Sequence, residues 1–252
     1  MIIGVSGYSG SGKDTVGMII QYLNCNNVGN VSIEEAIKDY KEHEWWLEDQ
    51  SGWEIRKFAG KLKDIAEHLT GIPIEKFEDQ EFKKTNLGPE WDVPSKVTLV
   101  DGKIWMDDMR PLTVREFLQN LGTNALRNGL HDNVWVNALM ADYKDVNQGD
   151  DGLIHEKYGE HDVTIVPNPI FWSEYYPNWI ITDTRFPNEA QAIKDKEGIV
   201  IRVDRPGVKP INDHPSETGL DNWNFDYKIA NVSDIFALTQ TVENILKHHK
   251  LL

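Results

Sequence analysis

The sequence predicts an α/β protein: a mainly parallel five-stranded sheet with helices on both faces, in three layers. Three observations carry this expectation. Five short apolar runs, at 1–6, 56–59, 179–182, 199–203 and 226–230, read as strands, and helical periodicity fills much of the sequence between them, which is how a parallel sheet is built from strand and helix units. The first run, Ile2-Ile3-Gly4-Val5, leads directly into Gly7-Tyr8-Ser9-Gly10-Ser11-Gly12-Lys13-Asp14-Thr15. That stretch fits G-x-x-x-x-G-K, a loop whose amides surround a polyphosphate while the lysine reaches its β/γ end. Finally, the run at 179–182 ends on Asp183-Thr184-Arg185, and in open α/β sheets ligands collect at the carboxyl ends of strands.

Within the loop, glycines at 7, 10 and 12 let the main chain approach phosphates and take positive φ. Gly10, Ser11, Gly12, Lys13, Asp14 and Thr15 are the expected nucleotide contacts. Asp14 stands where a Ser or Thr hydroxyl usually holds Mg²⁺, and Thr15 follows one place later. This G-K-x-T arrangement resembles the loops of nucleoside monophosphate kinases more than those of GTPases or ATPase motors. Direct ligation of the metal by a loop hydroxyl is therefore not expected, and no residue is assigned as a dedicated metal ligand. The phosphates themselves, water and nearby carboxylates would hold Mg²⁺.

Composition narrows the class. With 252 residues, 40% hydrophobic and 27% charged, the chain can bury one substantial core. A single domain is expected, with insertions near 30–54 and 148–177. The formal net charge of −15 argues against a nucleic-acid or anionic-membrane binder, because such surfaces need cationic excess. Cys25 is the one cysteine, so no intramolecular disulfide can form. No signal-peptide pattern and no long apolar run is present, and a protein of the cytoplasm is the expectation.

In chain order, Lys13 to Leu23 reads as the helix that follows the loop, with Val16, Ile19, Ile20 and Leu23 inward. Residues 32–53 form a charged, Trp-bearing insertion that opens on a capping box at Ser32 and Glu35. Trp45, Trp46 and Trp53 are expected to pack it onto the body. Arg56 to Ala59 is the second strand, and Gly60 to Leu69 a helix with Leu62, Ile65, Ala66 and Leu69 inward. Lys63 lies near its start, placed for a phosphate or simply solvated. Lys83 and Lys84 are open to the same two readings. Val97 to Met106, with Asp101-Gly102 at its centre, predicts a β-hairpin outside the main sheet.

Thr113 and Glu116 form a second capping box, opening a helix with Val114, Phe117, Leu118 and Leu121 inward. On its flank Arg115, Gln119 and Gly122 recur at i, i+4 and i+7, suited to a flat, anionic, hydrogen-bonding ligand or to solvent. A helix bearing Trp135 follows His131. Residues 148–178 resist reading, and His155 and His161 there lack the spacing of a metal site. Pro187 begins a helix with Glu189 in its first turn. Arg205 to Leu220 is a plausible mobile cover, and Ser233 caps the last helix.

Seven segments in order resemble tailed-phage deoxynucleoside monophosphate kinases. These are the G-x-x-x-S-G-K-D-T loop, Phe58-Ala59-Gly60-x-x-Lys63-Asp64, Val114-Arg115-x-x-x-Gln119-x-Leu121-Gly122-Thr123, Trp135-Val136, Asp183-Thr184-Arg185-x-x-x-Glu189, Arg205-Pro206-Gly207 and His214-x-x-Glu217. The resemblance implies a three-layer P-loop kinase fold and an enzyme that moves the γ-phosphoryl of ATP onto a deoxynucleoside monophosphate. It implies Lys13, Arg115 and Arg185 as catalytic residues. Lys63, Arg115, Gln119, Gly122, Thr123, Trp135, Asp183, Arg185 and Glu189 would form the acceptor site. A homodimer acting in the host cytoplasm is implied as well. The alternatives are a P-loop kinase for a phosphorylated non-nucleotide, and a nucleotide-binding module without catalysis.

Overall fold

The computed structural model describes residues 1–101, 103–106, 108–144, 153–158, 162–167, 176–212 and 214–252. Gly102 and His161, named above, lie outside the described residues, as do Asp213 within the expected Arg205 to Leu220 cover and parts of 148–178. In chain order the strands and α-helices are β1 (Ile2–Ser6), α1 (Lys13–Asn24), α2 (Ile33–Lys38), α3 (Tyr40–Ser51), β2 (Trp53–Arg56), α4 (Gly60–Thr70), β3 (Val93–Pro94), β4 (Val97–Val100), β5 (Lys103–Met106), β6 (Met109–Arg110), α5 (Val114–Gln119) and α6 (Val134–Met140). There follow β7 (Leu153–Tyr158), β8 (Asp162–Pro167), β9 (Asn178–Ile181), α7 (Pro187–Lys194), β10 (Ile199–Asp204), α8 (Pro215–Thr218), β11 (Tyr227–Ala230) and α9 (Ile235–His248). The chain divides into two compact units, Met1–Phe58 with Leu139–Leu252, and Ala59–Ala138.

In the first unit five strands form one sheet, in the order β11-β10-β1-β9-β2, and every pairing is parallel. Parallel strands need both faces covered. On one face Ile3, Val5, Ile180, Ile201 and Val203 pack against Val16, Ile19 and Ile20 of α1 and Leu238 and Val242 of α9. On the other, α7 comes so close that a Cβ on Gly4 would lie 2.5 Å from Ile193 Cδ1. The all-parallel, helix-covered sheet thus bears out the expected α/β class. β1 is central, so the loop that follows it leaves the middle of the sheet.

The insertion ahead of β2 packs α2 and α3 against α1. Gln21 of α1 is fully buried yet satisfied: its Nε2 donates to the Trp53 carbonyl at 2.8 Å and its Oε1 accepts from Tyr40 Oη at 2.9 Å. The second strand falls at Trp53–Arg56, earlier than the expected Arg56 to Ala59. Burial of the Trp53 indole in the core decides the register, whereas Phe58 N–H turns aside to Asp183 Oδ1 at 2.8 Å. Trp45 is 71% exposed and does not pack as expected. Asp234, not Ser233, caps α9, accepting from Ala237 N–H at 3.0 Å. The Cys25 thiol donates to the Gln21 carbonyl at 3.3 Å, and burial raises its pKa. β7 and β8 pair antiparallel in a two-stranded sheet of their own.

The second unit is built on Ala66, Phe77, Leu112, Val114 and Phe117. α4 turns Lys63 and Ala66 inward, while Ile65 and Leu69 are 38% and 52% exposed, a rotation from the expected stripe. The Thr113 capping box forms: Thr113 Oγ1 accepts from Glu116 N–H at 3.2 Å, and Glu116 Oε2 accepts from Thr113 N–H at 3.1 Å. Beyond Gln119 the helix widens into a π-helix, Asn120–Asn128. Its longer repeat breaks the expected 3.6-residue stripe between Gln119 and Gly122. β4 and β5 make the expected hairpin as a separate two-stranded sheet. Among the described residues, no helix is long and apolar enough to cross a membrane.

Ile20 is fully buried beneath the sheet, so Ile20→Ala is expected to cost about 3 kcal/mol in chemical denaturation. A loss below about 1 kcal/mol would mean that the α1 interface closes over the cavity.

Candidate functional site

The loop after β1 has the backbone of an anion site. Gly7 and Gly12 hold φ of +148° and +103°, conformations that L side chains rarely take. A Cβ on Gly7 would sit 2.3 Å from the Val203 carbonyl oxygen, so glycine is required on steric grounds as well. Gly12 is the N-cap of α1 and supplies no side-chain cap. The first main-chain bond runs from Val16 N–H to the Gly12 carbonyl at 3.0 Å. The amides of Lys13, Asp14 and Thr15 therefore precede the hydrogen-bonded turns, at the positive end of the helix dipole. The buried Ser11 hydroxyl has no partner among the described residues, which fits a loop shaped to receive phosphate oxygens.

Side chains from distant segments brace this loop. Asn231 Nδ2 donates to the Ser11 carbonyl at 2.9 Å. Tyr8 Oη lies 2.9 Å from both carboxylate oxygens of Asp221, and the Arg202 guanidinium covers the Tyr8 ring at 4.5 Å. Arg202 is buried, with Nε donating to Asp204 at 2.9 Å and Nη2 to Asp221 at 3.3 Å. A buried guanidinium is tolerated only when paired like this. None of Tyr8, Arg202, Asp221 and Asn231 was singled out from sequence. A charged residue inside the apolar run Ile199 to Val203 was the one available signal.

Lys13 is 8% exposed, and its Nζ donates to the Tyr8 carbonyl at 2.8 Å. Burial, and then the nearby Arg185 charge, pull its pKa down to about 8, against the opposing pull of Asp14, Glu217 and Asp183. Asp14 accepts from Thr182 Oγ1 at 2.8 Å and pairs with Lys57 at 3.4 Å. Desolvation would raise its pKa, but Lys57, the Thr182 hydroxyl and Lys13 outweigh it and hold the carboxyl below its usual value. Asp14 is thus an anion spoken for by protein groups.

Asp183, Thr184 and Arg185 follow β9 as expected. Asp183 Oδ1 accepts from Phe58 N–H at 2.8 Å, and Arg185 Nη1 donates to the buried Glu217 at 3.2 Å. Glu189 is 3% exposed. Its Oε2 accepts from the amides of Arg185 and Phe186 at 2.8 and 3.1 Å, so it shapes the turn that carries Arg185. Loop, Asp183, Arg185 and Glu189 all belong to the first unit.

Lys63, Arg115, Gln119, Gly122, Thr123 and Trp135 belong to the second. Lys63 is 7% exposed and paired with Glu78. Arg115 Nη2 donates to Gln80 Oε1 at 3.0 Å. Gly122 is covered, since a Cβ there would lie 2.8 Å from Leu62 Cδ2, and its carbonyl accepts from Trp135 Nε1 at 2.9 Å. Thr123 and Trp135 are buried, and Gln119 is half-buried. Lys84 pairs with Glu81 at 2.7 Å on the surface.

No family model matches the chain. It is 26% identical over 182 residues to a putative deoxynucleotide monophosphate kinase of Acanthamoeba polyphaga mimivirus, covering 69% of this chain and 72% of that protein. It is 30% identical over 136 residues to the deoxynucleotide monophosphate kinase of Enterobacteria phage T4, covering 54% of this chain. Both proteins that the chain is similar to are named as deoxynucleotide monophosphate kinases, one of them as putative. The chain spans 46% of the length of the T4 protein, and the likeness to both kinases is one of sequence.

The lowered lysine pKa gives a pH signature. Between pH 8 and about 10.4 the unfolded chain binds a proton that folded Lys13 lacks. The penalty of burying charged Lys13 is therefore fully present below that window and relieved as pH rises through it. A polyphosphate would supply the missing counter-charge and raise the pKa again. Calorimetric titration with a non-hydrolysable ATP analogue near pH 8.5, in buffers of different ionisation enthalpy, should show proton uptake that Lys13→Met abolishes. Buffer-independent heats in the unmodified protein would contradict this.

Proposed function

We propose that the chain is a deoxynucleoside monophosphate kinase, transferring the γ-phosphoryl group of ATP to a deoxynucleoside monophosphate to give the diphosphate and ADP. The observation that carries this reading is a braced phosphate loop, with a buried Lys13, at the end of the central strand in a relative of such kinases. In a phage-type setting the product would feed DNA precursor synthesis in the host cytoplasm, and the enzyme would act as a homodimer.

Phosphoryl transfer asks the protein for alignment and for positive charge on the oxygens in flight. Gly10 to Thr15 hold the donor phosphates, and Lys13 follows charge from the β- to the γ-phosphate. Mg²⁺ would be held mainly through the nucleotide phosphates and water, and would supply further charge neutralisation. Arg115 and Arg185 act on the phosphoryl group, as arginine's planar fork suits bidentate phosphate contact. Lys63, Gln119, Gly122, Thr123, Trp135, Asp183 and Glu189 complete the acceptor residues. Glu189 does so through the turn it holds. Since the acceptor is already a phosphate, no general base is needed.

The test is ADP release with Mg·ATP across all deoxynucleoside and ribonucleoside monophosphates. Turnover with at least one deoxynucleoside monophosphate is expected, reduced about 10²- to 10³-fold in kcat/KM by Lys13→Ala. No turnover with any of them, or turnover only with a phosphorylated non-nucleotide, would overturn the reading.

A further inference from the structure

Lys63 and Arg115, the two cations of the second unit among the candidate site residues, are both held by one short arm. Phe77, fully buried, and Phe82 anchor its ends, their rings edge to face at 6.5 Å. Between them Asp79 Oδ1 accepts from the amides of Glu81 and Phe82 at 2.8 and 3.3 Å, fixing the turn. Glu78 and Gln80, on either side of Asp79, reach back to separate helices. The Glu78 carboxylate pairs with Lys63 of α4, and Gln80 Oε1 accepts from Arg115 of α5 at 3.0 Å. Lys63 is 9% exposed in its side chain, whereas Glu78 is 48% exposed, so the anion can swing into water while the ammonium cannot.

Resting on the kinase reading above, we infer that Glu78 and Gln80 stand in for the acceptor phosphate. They keep Lys63 and Arg115 placed in the free enzyme and are displaced by phosphate oxygens. A buried ammonium left without a partner would be costly, so the carboxylate holds Lys63 ready. Competition from it lowers acceptor affinity and favours ligands carrying a dianionic phosphate over unphosphorylated nucleosides. Glu78 and Gln80 are thus positioning and specificity residues. The arm's main chain need not move, because side-chain rotation suffices.

The test is steady-state kinetics of the unmodified enzyme, Glu78→Gln, Gln80→Ala and the double variant, with the deoxynucleoside monophosphate turned over best. Glu78→Gln should lower the acceptor KM about tenfold, and Gln80→Ala by about two- to threefold, with the KM for ATP unchanged. An unchanged acceptor KM, or a fall in kcat alone, would overturn the inference and leave Glu78 as a fixed partner of Lys63. Inorganic phosphate binding is measured in parallel in a Lys13→Met background, which silences the loop. There Glu78→Gln must bind phosphate more tightly, and equal binding overturns the inference whether or not any nucleotide is phosphorylated. Absence of turnover in the unmodified enzyme, by contrast, counts against the kinase reading.

Discussion

Lys13 carries an ammonium that the fold buries, and the cost of burial outweighs the pull of the Asp14, Glu217 and Asp183 carboxylates. Its Nζ donates to the neutral Tyr8 carbonyl at 2.8 Å, and burial, helped by the Arg185 charge, pushes its pKa down to about 8. Burying a cation on such terms is unfavourable. The same few residues present the amides at the start of α1, so the backbone and the lysine ask for one thing, a polyanion. A site that is electrostatically incomplete without its ligand is also one whose binding energy is concentrated there.

The bracing of the loop explains how that strained arrangement persists. Residues 214–221 contribute twice: Asp221 takes the Tyr8 hydroxyl and Arg202, and Glu217 takes Arg185. His214 caps the short α8, which carries Glu217. The loop tip and the arginine beside Lys13 are thereby tied to one stretch of chain, which also buries Leu220. Asn231 holds the Ser11 carbonyl. Groups that fix the loop do so without using the amides at the helix start, which keeps the anion site open.

Features that depend on local chemistry were legible in the sequence. Glycines at 7 and 12, the apolar β1 and the Thr113 capping box each state their conformation within a few residues. What was not legible depends on tertiary partners. Lys63 sits at a position that pattern alone leaves open to solvent, and a carboxylate 15 residues on draws it inward. Trp53 moves the second strand because its indole fits the core. The π-helix after Gln119 has no periodicity that a 3.6-residue template could detect, so Gly122 was expected on an open stripe when Leu62 covers it. Tyr8 lay in plain view inside the loop, but its meaning needs Asp221, which carries no motif at all.

If a polyphosphate is the counter-ion for which Lys13 is held, its titration must respond to one. The most direct measurement is an NMR titration of the Lys13 side chain, with and without a non-hydrolysable ATP analogue. The account predicts a pKa of about 8 in the free protein, moving to about 10.4 or above once the analogue is bound. A lysine that titrates at its ordinary value in the free protein, or one whose titration the analogue leaves unmoved, would contradict it.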